Sequence, residues 1–328
     1  MKDFFGRSLS YARISVTDRC NYRCRYCMPE EGVEWIPHDK VLSYEDILCL
    51  MGILSDFGIK KVRFTGGEPL VRKGMPQFLR EVTTSFPKIQ VALTTNGSTL
   101  TRDAPLLADI GLASINISLD TLDAENFSLM TRGAALQPVL DGIDSLIPLV
   151  SHAKTKIKMN SVLMRGFNDG GMTEQLVSFA FERGLLLRFI EFMPFHSNLW
   201  SEGMFMPFSE ALARLNEHGS WTEDKSELSQ ENSLSGPASY YVNAVSGQKI
   251  GVISAISRHF CETCNRLRVT STGEIRPCLF DDGQISIAEA LKRRDGEKVR
   301  ELLHVAAAMK LEHGAAHSEK TRMYAIGG

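Results

Sequence analysis

The sequence predicts an α/β fold, an incomplete (β/α)6 TIM-like barrel with a C-terminal α+β extension. Three observations predict it. Strand-like runs alternate with amphipathic stretches six times over the first two thirds of the chain. The strands are near-continuous in Val, Ile, Leu and Phe, as in a parallel sheet covered by helices. Residues able to do chemistry collect where the strands run out, the end of a barrel that carries the site. No Gly-x-Gly-x-x-Gly follows the first strand, which weighs against an open dinucleotide-binding sheet.

Strands are expected at 12–17, 61–65, 90–95, 114–119, 156–163 and 186–192. Between them, Ile47, Leu50, Met51 and Leu54 recur at helical spacing, as do Leu140, Ile143, Ile147 and Val150, so each stripe marks a helix with one buried face. Ser43 ahead of Asp46 forms an acidic variant of the capping box, and Thr121 ahead of Glu125 marks another helix start. After Met193 the character changes. Residues 222–239 are polar and end in Gly236-Pro237, reading as a surface loop or linker. Beyond them 249–255 and 266–270 read as strands, Thr272-Gly273 as a hairpin turn, and 287–293 and 296–310 as helices. The expected division is a partial barrel over 1–220, a polar loop over 221–239, and a C-terminal region over 240–328 that ends in Gly327-Gly328.

With 328 residues, 43% hydrophobic and 23% charged, the chain can build a core without disulfides. Its formal charge of −2 gives no global basic field. No nucleic-acid partner is therefore expected, and an anionic ligand must be held by a local group of Arg and Lys. No apolar run has the length of a signal peptide or a membrane span, so the expectation is no membrane partner and a place in the cytoplasm.

Seven cysteines fall into two clusters, Cys20/Cys24/Cys27 and Cys261/Cys264/Cys278, with Cys49 alone and read as a core residue. Clustering favours metal ligation over a disulfide framework. Cys20-x3-Cys24-x2-Cys27 follows the first strand directly. Three thiolates on one short loop can fill three corners of an iron–sulfur cube that normally takes four, leaving one iron for an outside ligand. Zinc is the alternative, with His38 the nearest fourth ligand. The second set, alone, reads equally as a zinc knuckle completed by His259. Beside it Arg266 and Arg268 share one face of a strand. Such a pair of guanidiniums suits phosphate oxygens, although a solvated strand face is the blander reading. Gly66 and Gly67 in Thr65-Gly-Gly-Glu68-Pro69 would let the main chain approach a ligand closely.

The first array, with Tyr26 just before its last cysteine, resembles the signature of radical S-adenosylmethionine (SAM) enzymes. That resemblance implies the partial barrel and a [4Fe-4S] cluster on Cys20, Cys24 and Cys27 whose open iron is chelated by SAM. It also implies reductive cleavage of SAM to a 5′-deoxyadenosyl radical that takes a substrate hydrogen. The SAM contacts it implies are Tyr26, Gly67, Ser118 (in Asn116-Ile117-Ser118) and Met193. Adding Arg13-Ile-Ser-Val-Thr-Asp-Arg-Cys20, Val62-Arg63, Thr94-Thr-Asn-Gly97, Lys158-Met-Asn160 and Cys264-Asn-Arg-Leu-Arg268, the whole chain resembles the GTP 3′,8-cyclase family of molybdenum-cofactor biosynthesis.

This closer resemblance implies a second [4Fe-4S] cluster on Cys261, Cys264 and Cys278, with the guanine of GTP at its open iron. GTP contacts would come from Arg13, Arg63, Thr94, Lys158, Arg266 and Arg268, the last two counted as catalytic. The product would be (8S)-3′,8-cyclo-7,8-dihydroguanosine 5′-triphosphate. Implied partners are an external one-electron reductant of flavodoxin or ferredoxin type, a downstream cyclic pyranopterin monophosphate synthase and a second copy in a homodimer. The Gly-Gly tail would reach into the active site. Two rivals are weaker. A radical SAM peptide-modifying enzyme with an auxiliary cluster leaves Arg266 and Arg268 unexplained. A zinc-bearing RNA-binding protein calls for interleaved aromatics, which are only 8% here, and long basic runs.

Overall fold

Alternation inside the strands, more than their apolar character, organises the architecture of the computed structural model, which describes residues 1–151, 154–195, 200–225, 236–280 and 284–313. β1 (Tyr11–Ser15), β2 (Lys61–Thr65), β3 (Gln90–Thr95), β4 (Ser114–Ser118), β5 (Lys156–Leu163) and β6 (Leu186–Glu191) pair in chain order, all parallel. Val62, Phe64, Ile115, Ile117, Met159, Leu187 and Phe189 are buried in the main core. The alternate residues, among them Arg13, Arg63, Asn116, Lys158 and Arg188, line an interior cavity instead. The near-continuous apolar strands expected from sequence are thus apolar on one face only. A one-residue slip would exchange the two sets. Each fully buried Ile, Leu or Phe on the outer face contributes roughly 1.5–3 kcal/mol, so the outer face holds the register.

Six helices connect these strands: α1 (Tyr44–Asp56), α2 (Met75–Ser85), α3 (Leu100–Ile110), α4 (Ala124–Thr131), α5 (Gln137–Leu146) and α6 (Gly171–Glu182). At α1 both halves of the capping box form: Ser43 Oγ accepts from the Asp46 amide at 3.1 Å, and Asp46 Oδ2 from the Ser43 amide at 3.0 Å. The start expected at Thr121 lies further on. Asp123 caps α4 by accepting from the Asn126 amide at 2.7 Å, and the Thr121 hydroxyl reaches only the amide of Asp123, at 3.1 Å.

After β6 the chain extends the same sheet at both edges. α7 (Phe208–Glu217) leads to β7 (Trp221–Glu223), β8 (Ser239–Asn243) and β9 (Lys249–Ile253), with β9 parallel to β6. β10 (Arg266–Val269) then pairs parallel with β1 at the opposite edge, followed by antiparallel β11 (Glu274–Arg276) and β12 (Ile285–Ser286). Thr272-Gly273 lies in the β10–β11 turn, Gly273 having φ +81°. α8 (Ala288–Lys292) and α9 (Gly296–Ala308) complete the described chain. The strand order β12-β11-β10-β1-β2-β3-β4-β5-β6-β9-β8-β7 is not closed among the described residues.

The loop expected over 222–239 instead starts within β7, where Thr222 pairs with Val242; 226–235 lie outside the described residues, as do Gly327 and Gly328. Cys49 is partly buried and packs against the core. Among the described residues no helix is long and apolar enough to cross a membrane.

Candidate active site

The first cysteine loop is clamped from two sides. On one, the Arg25 amide donates to Met130 O at 2.8 Å, and Arg132 Nη1 donates to Arg23 O at 2.7 Å and Met28 O at 2.9 Å. Arg132 holds the left-handed conformation, φ +58°, uncommon for a residue with a side chain. On the other side the Gly67 amide donates to Thr17 O and the Glu68 amide to Arg19 O, both at 2.8 Å. A Cβ at Gly66 would lie 2.7 Å from Thr17 O, and one at Gly67 would collide with the carbonyls of Arg19 and Asp18. The chain's own backbone therefore requires these glycines, which sequence reasoning had assigned to ligand approach. The Glu68 carboxylate, buried, accepts from the Leu70 amide (3.0 Å), Thr95 Oγ1 (2.8 Å) and the Asn96 amide (2.6 Å), tying the loops after β2 and β3 together. Burial pushes it up to about 7.

Cys20, Cys24 and Cys27 line one cavity with Tyr26 and Asp120. Tyr26 Oη donates to Asp120 Oδ2 at 2.9 Å, and the Val162 amide donates to Asp120 Oδ1 at 2.8 Å. Burial pushes the Cys20 thiol up to about 11 and Cys27 up to about 12; Cys24 rises for the same reason, with Cys27 adding repulsion. Three thiols on the wall of one cavity are a donor set that fits an iron–sulfur cluster.

The cavity, about 600 Å³, runs through the barrel interior. It is lined by every residue expected to contact SAM (Tyr26, Gly67, Ser118, Met193) and GTP (Arg13, Arg63, Thr94, Lys158, Arg266, Arg268). Strand register builds its cationic wall: Arg268 of β10 stands opposite Arg13 of β1, which stands opposite Arg63 of β2. Lys61, Lys156 and Arg188 also line it. Arg63 and Arg188 are held by hydroxyl, amide and carbonyl oxygens. Arg63 donates to Tyr11 Oη (2.8 Å), Leu93 O (2.8 Å) and Ser114 Oγ (3.0 Å), and Arg188 donates twice to Asn160 Oδ1, at 3.0 and 2.7 Å. With its side-chain amide turned so that the carbonyl faces them, Asn116 would accept from Arg63 Nη1 at 3.1 Å and Arg188 Nη2 at 2.5 Å. Sequence reasoning groups Asn116 with Ser118 around SAM, and both line this cavity.

Tyr11, Ser114, the Leu93 carbonyl and Asn160 orient these guanidiniums. Burial, then Arg268 and Arg63, pulls Arg13 down to about 9; burial, then Arg188, Lys61 and Arg63, pulls Lys158 down to about 7. Even Tyr11 falls to about 7: burial opposes this, but Arg63, Arg13 and Lys61 outweigh it. Arg268 is 6% exposed and its Nη1 is buried with no hydrogen-bond partner among the described residues. An anion against this wall would relieve the repulsion between its buried like charges, and an unmade buried hydrogen bond costs about 1–3 kcal/mol. Sequence reasoning missed Lys61, Lys156 and Arg188. For the two lysines the signal was the two-residue alternation of charge in Lys61-x-Arg63 and Lys156-x-Lys158, inside runs read as apolar.

Of the second set, Cys261 and Cys264 flank the short turn before β10 and Cys278 follows β11. All three are partly buried, and their chain neighbours Phe260 and Leu279 line the cavity. Burial acts to raise Cys264, but Arg266 and Lys310 together pull it down to about 6. His38 and His259, the fourth ligands that zinc would use, are both exposed. Among the described residues no three Cys, His, Asp or Glu side chains converge as ligands of a single ion.

Comparison with known proteins agrees with this geometry. Residues 14–178 match the model of the Radical SAM superfamily, and residues 185–315 that of Molybdenum Cofactor Synthesis C. The chain is 40% identical to a GTP 3′,8-cyclase of Syntrophomonas wolfei over 100% of both chains, and 40% identical to one of Peptoclostridium acidaminophilum over 99% and 98%. It is 37% identical to molybdenum cofactor biosynthesis protein 1 of Dictyostelium discoideum over 97% of this chain, but spans only 49% of that protein. Among solved structures, native anSMEcpe with bound AdoMet superposes with a TM-score of 0.57 at 15% identity, over 92% of this chain and 84% of that one. Streptococcus suis SuiB bound to precursor peptide SuiA gives 0.59 at 17%, over 86% and 63%. At such identities the structural likeness is one of fold alone. Identity and coverage along the whole chain are decisive: it belongs to the GTP 3′,8-cyclase family of the radical SAM superfamily.

Proposed function

We propose that this chain converts GTP into (8S)-3′,8-cyclo-7,8-dihydroguanosine 5′-triphosphate, the first step of molybdenum-cofactor biosynthesis. The observation that carries the proposal is one cavity with a three-thiol loop on its wall and Arg13, Arg63, Lys158, Arg188, Arg266 and Arg268 gathered around it. Cys20, Cys24 and Cys27 would hold a SAM-binding [4Fe-4S] cluster, and Cys261, Cys264 and Cys278 a second one. When bound, these clusters and SAM supply one-electron reduction and a carbon radical able to remove a ribose hydrogen. The protein does the rest. Tyr26, Gly67, Ser118 and Met193 would seat SAM. Arg13, Arg63, Lys158, Arg266 and Arg268 would grip the triphosphate, and Thr94 completes the nucleotide contacts. Fixing both reactants in one walled space turns hydrogen transfer and ring closure into steps between neighbours. An outside one-electron donor, a synthase that takes the product, a second copy in a dimer and a cytoplasmic setting belong to the same reading. A peptide substrate would leave the cationic wall without purpose.

GTP deuterated at C3′ should pass its label to 5′-deoxyadenosine under anaerobic, reducing conditions, measured by mass spectrometry. Productive turnover that releases unlabelled 5′-deoxyadenosine would refute the abstraction site.

GTP affinity should also depend on pH. Lys158, held down to about 7 in the free protein, is pushed back up when a triphosphate settles beside it. Above pH 7 binding must therefore take up a proton, and affinity should fall by up to about tenfold per pH unit. Calorimetry in two buffers of different ionisation enthalpy reads that uptake directly. A flat profile between pH 7 and 9 would contradict the role given to Lys158.

A further inference from the structure

Beyond α9 the chain turns back across the second cysteine set. Lys310 is buried, 3% exposed, and its Nζ donates to Arg266 O at 2.9 Å and Pro277 O at 2.8 Å. Arg266 lies two residues after Cys264, and Pro277 immediately precedes Cys278. The third donor of the ammonium faces Cys264 Sγ at 3.7 Å. Beside it Arg7 Nη1 donates to Cys261 O at 2.7 Å and Glu312 O at 3.1 Å, and Arg7 Nη2 donates to Leu311 O at 2.7 Å. The two cations thus fasten residues 310–312 to the neighbourhoods of all three cysteines.

Their charges are answered differently. Arg7 pairs with Asp3 at 2.5 Å. Among the described residues Lys310 has no carboxylate within ion-pairing distance, so its partners are two carbonyls and a sulfur. A buried ammonium without a counter-charge costs several kcal/mol. The anion this geometry offers is the cysteine set itself.

Resting on the two-cluster reading above, we infer that Lys310 is the counter-charge of the second iron–sulfur cluster, its ammonium hydrogen-bonding Cys264 sulfur and raising the cluster's reduction potential. Reduction adds one negative charge to the cluster, and a fixed cation with an N–H···S bond favours that state. Net charge and hydrogen bonds to sulfur are two of the levers a protein has on such a potential. Lys310 is a positioning and tuning residue that touches no substrate.

The test is EPR-monitored redox titration of the anaerobically reconstituted full chain beside Lys310→Gln and Lys310→Arg, with iron and sulfide counted in each. Gln keeps a donor for the carbonyls but removes the charge, and Arg keeps the charge. The second cluster's signal is the one that survives in a Cys24→Ala background. Lys310→Gln should lower its midpoint so that the reduced fraction at fixed potential falls about tenfold, or 59 mV for one electron, with the first cluster unmoved and Lys310→Arg near the parent. Loss of second-cluster iron in Lys310→Gln alone would show the same charge requirement during assembly. An unshifted Lys310→Gln, or equal loss of iron in both variants, overturns the assignment and leaves Lys310 a backbone strut. A parent with sulfide for one cluster only overturns the two-cluster reading itself, a failure separable from the former.

Discussion

Cys24→Ala is expected to cut 5′-deoxyadenosine formation from SAM and a chemical reductant to the detection limit, with GTP binding kept within about twofold (~0.5 kcal/mol) of the parent. The asymmetry follows from how the two halves of the cavity are held. Cys24 sits on a loop clamped by Arg132, α4 and the Gly67–Glu68 backbone. The cations sit on β1, β2, β5, β6 and β10, oriented by Asn116, Asn160, Ser114 and Tyr11. Losing one thiol removes a cluster ligand and leaves the wall of guanidiniums standing. SAM cleavage by high-pressure liquid chromatography and GTP affinity by calorimetry, on the same preparation, check both halves. Persistent cleavage would move the cluster elsewhere, and parallel loss of both would mean that the array supports the fold as a whole.

Arg13→Met should weaken GTP binding by about 30- to 1000-fold, the ~2–4 kcal/mol that removing one partner of a desolvated charge pair costs. The same variant should melt about 1–3 °C higher than the parent without nucleotide. The opposite signs share one origin. Arg13 stands between Arg268 and Arg63 in adjacent strands, and burial together with these like charges pulls it down to about 9. In the free protein this is a standing repulsion that methionine relieves; with a triphosphate in place it becomes attraction that methionine forfeits. Sites built for charged ligands trade stability for function in this way. Thermal melting and calorimetry with and without GTP read both effects. A lower melting temperature without nucleotide, together with weaker binding, would make Arg13 a structural residue.

Much of the barrel was legible before any coordinates. Strands β2, β3 and β5 occupy the spans their apolar runs mark, and the Ser43–Asp46 capping box closes as its spacing predicts. Thr121 shows the limit. A hydroxyl can cap only the helix whose first turn it reaches, and Asp123 is the nearer claimant. Glycines at 66 and 67 were visible as special. Their reason, the carbonyls of Thr17 to Arg19 pressing on them, depends on two loops far apart in the chain.

What the sequence by itself determined is whatever acts over a few residues: strand runs, helix caps, the three-thiol spacings, and the family to which those motifs point. Only the tertiary structure decided that β10 lies beside β1, so that Arg268 confronts Arg13, and that β9 lies beside β6. It alone gathered Lys61, Lys156 and Arg188 into one cavity and brought Lys310 against Cys264. The physical reason is that pairing and electrostatics between distant segments depend on separations through space. Those separations exist only once the apolar outer faces have packed and turned the charged alternate residues inward.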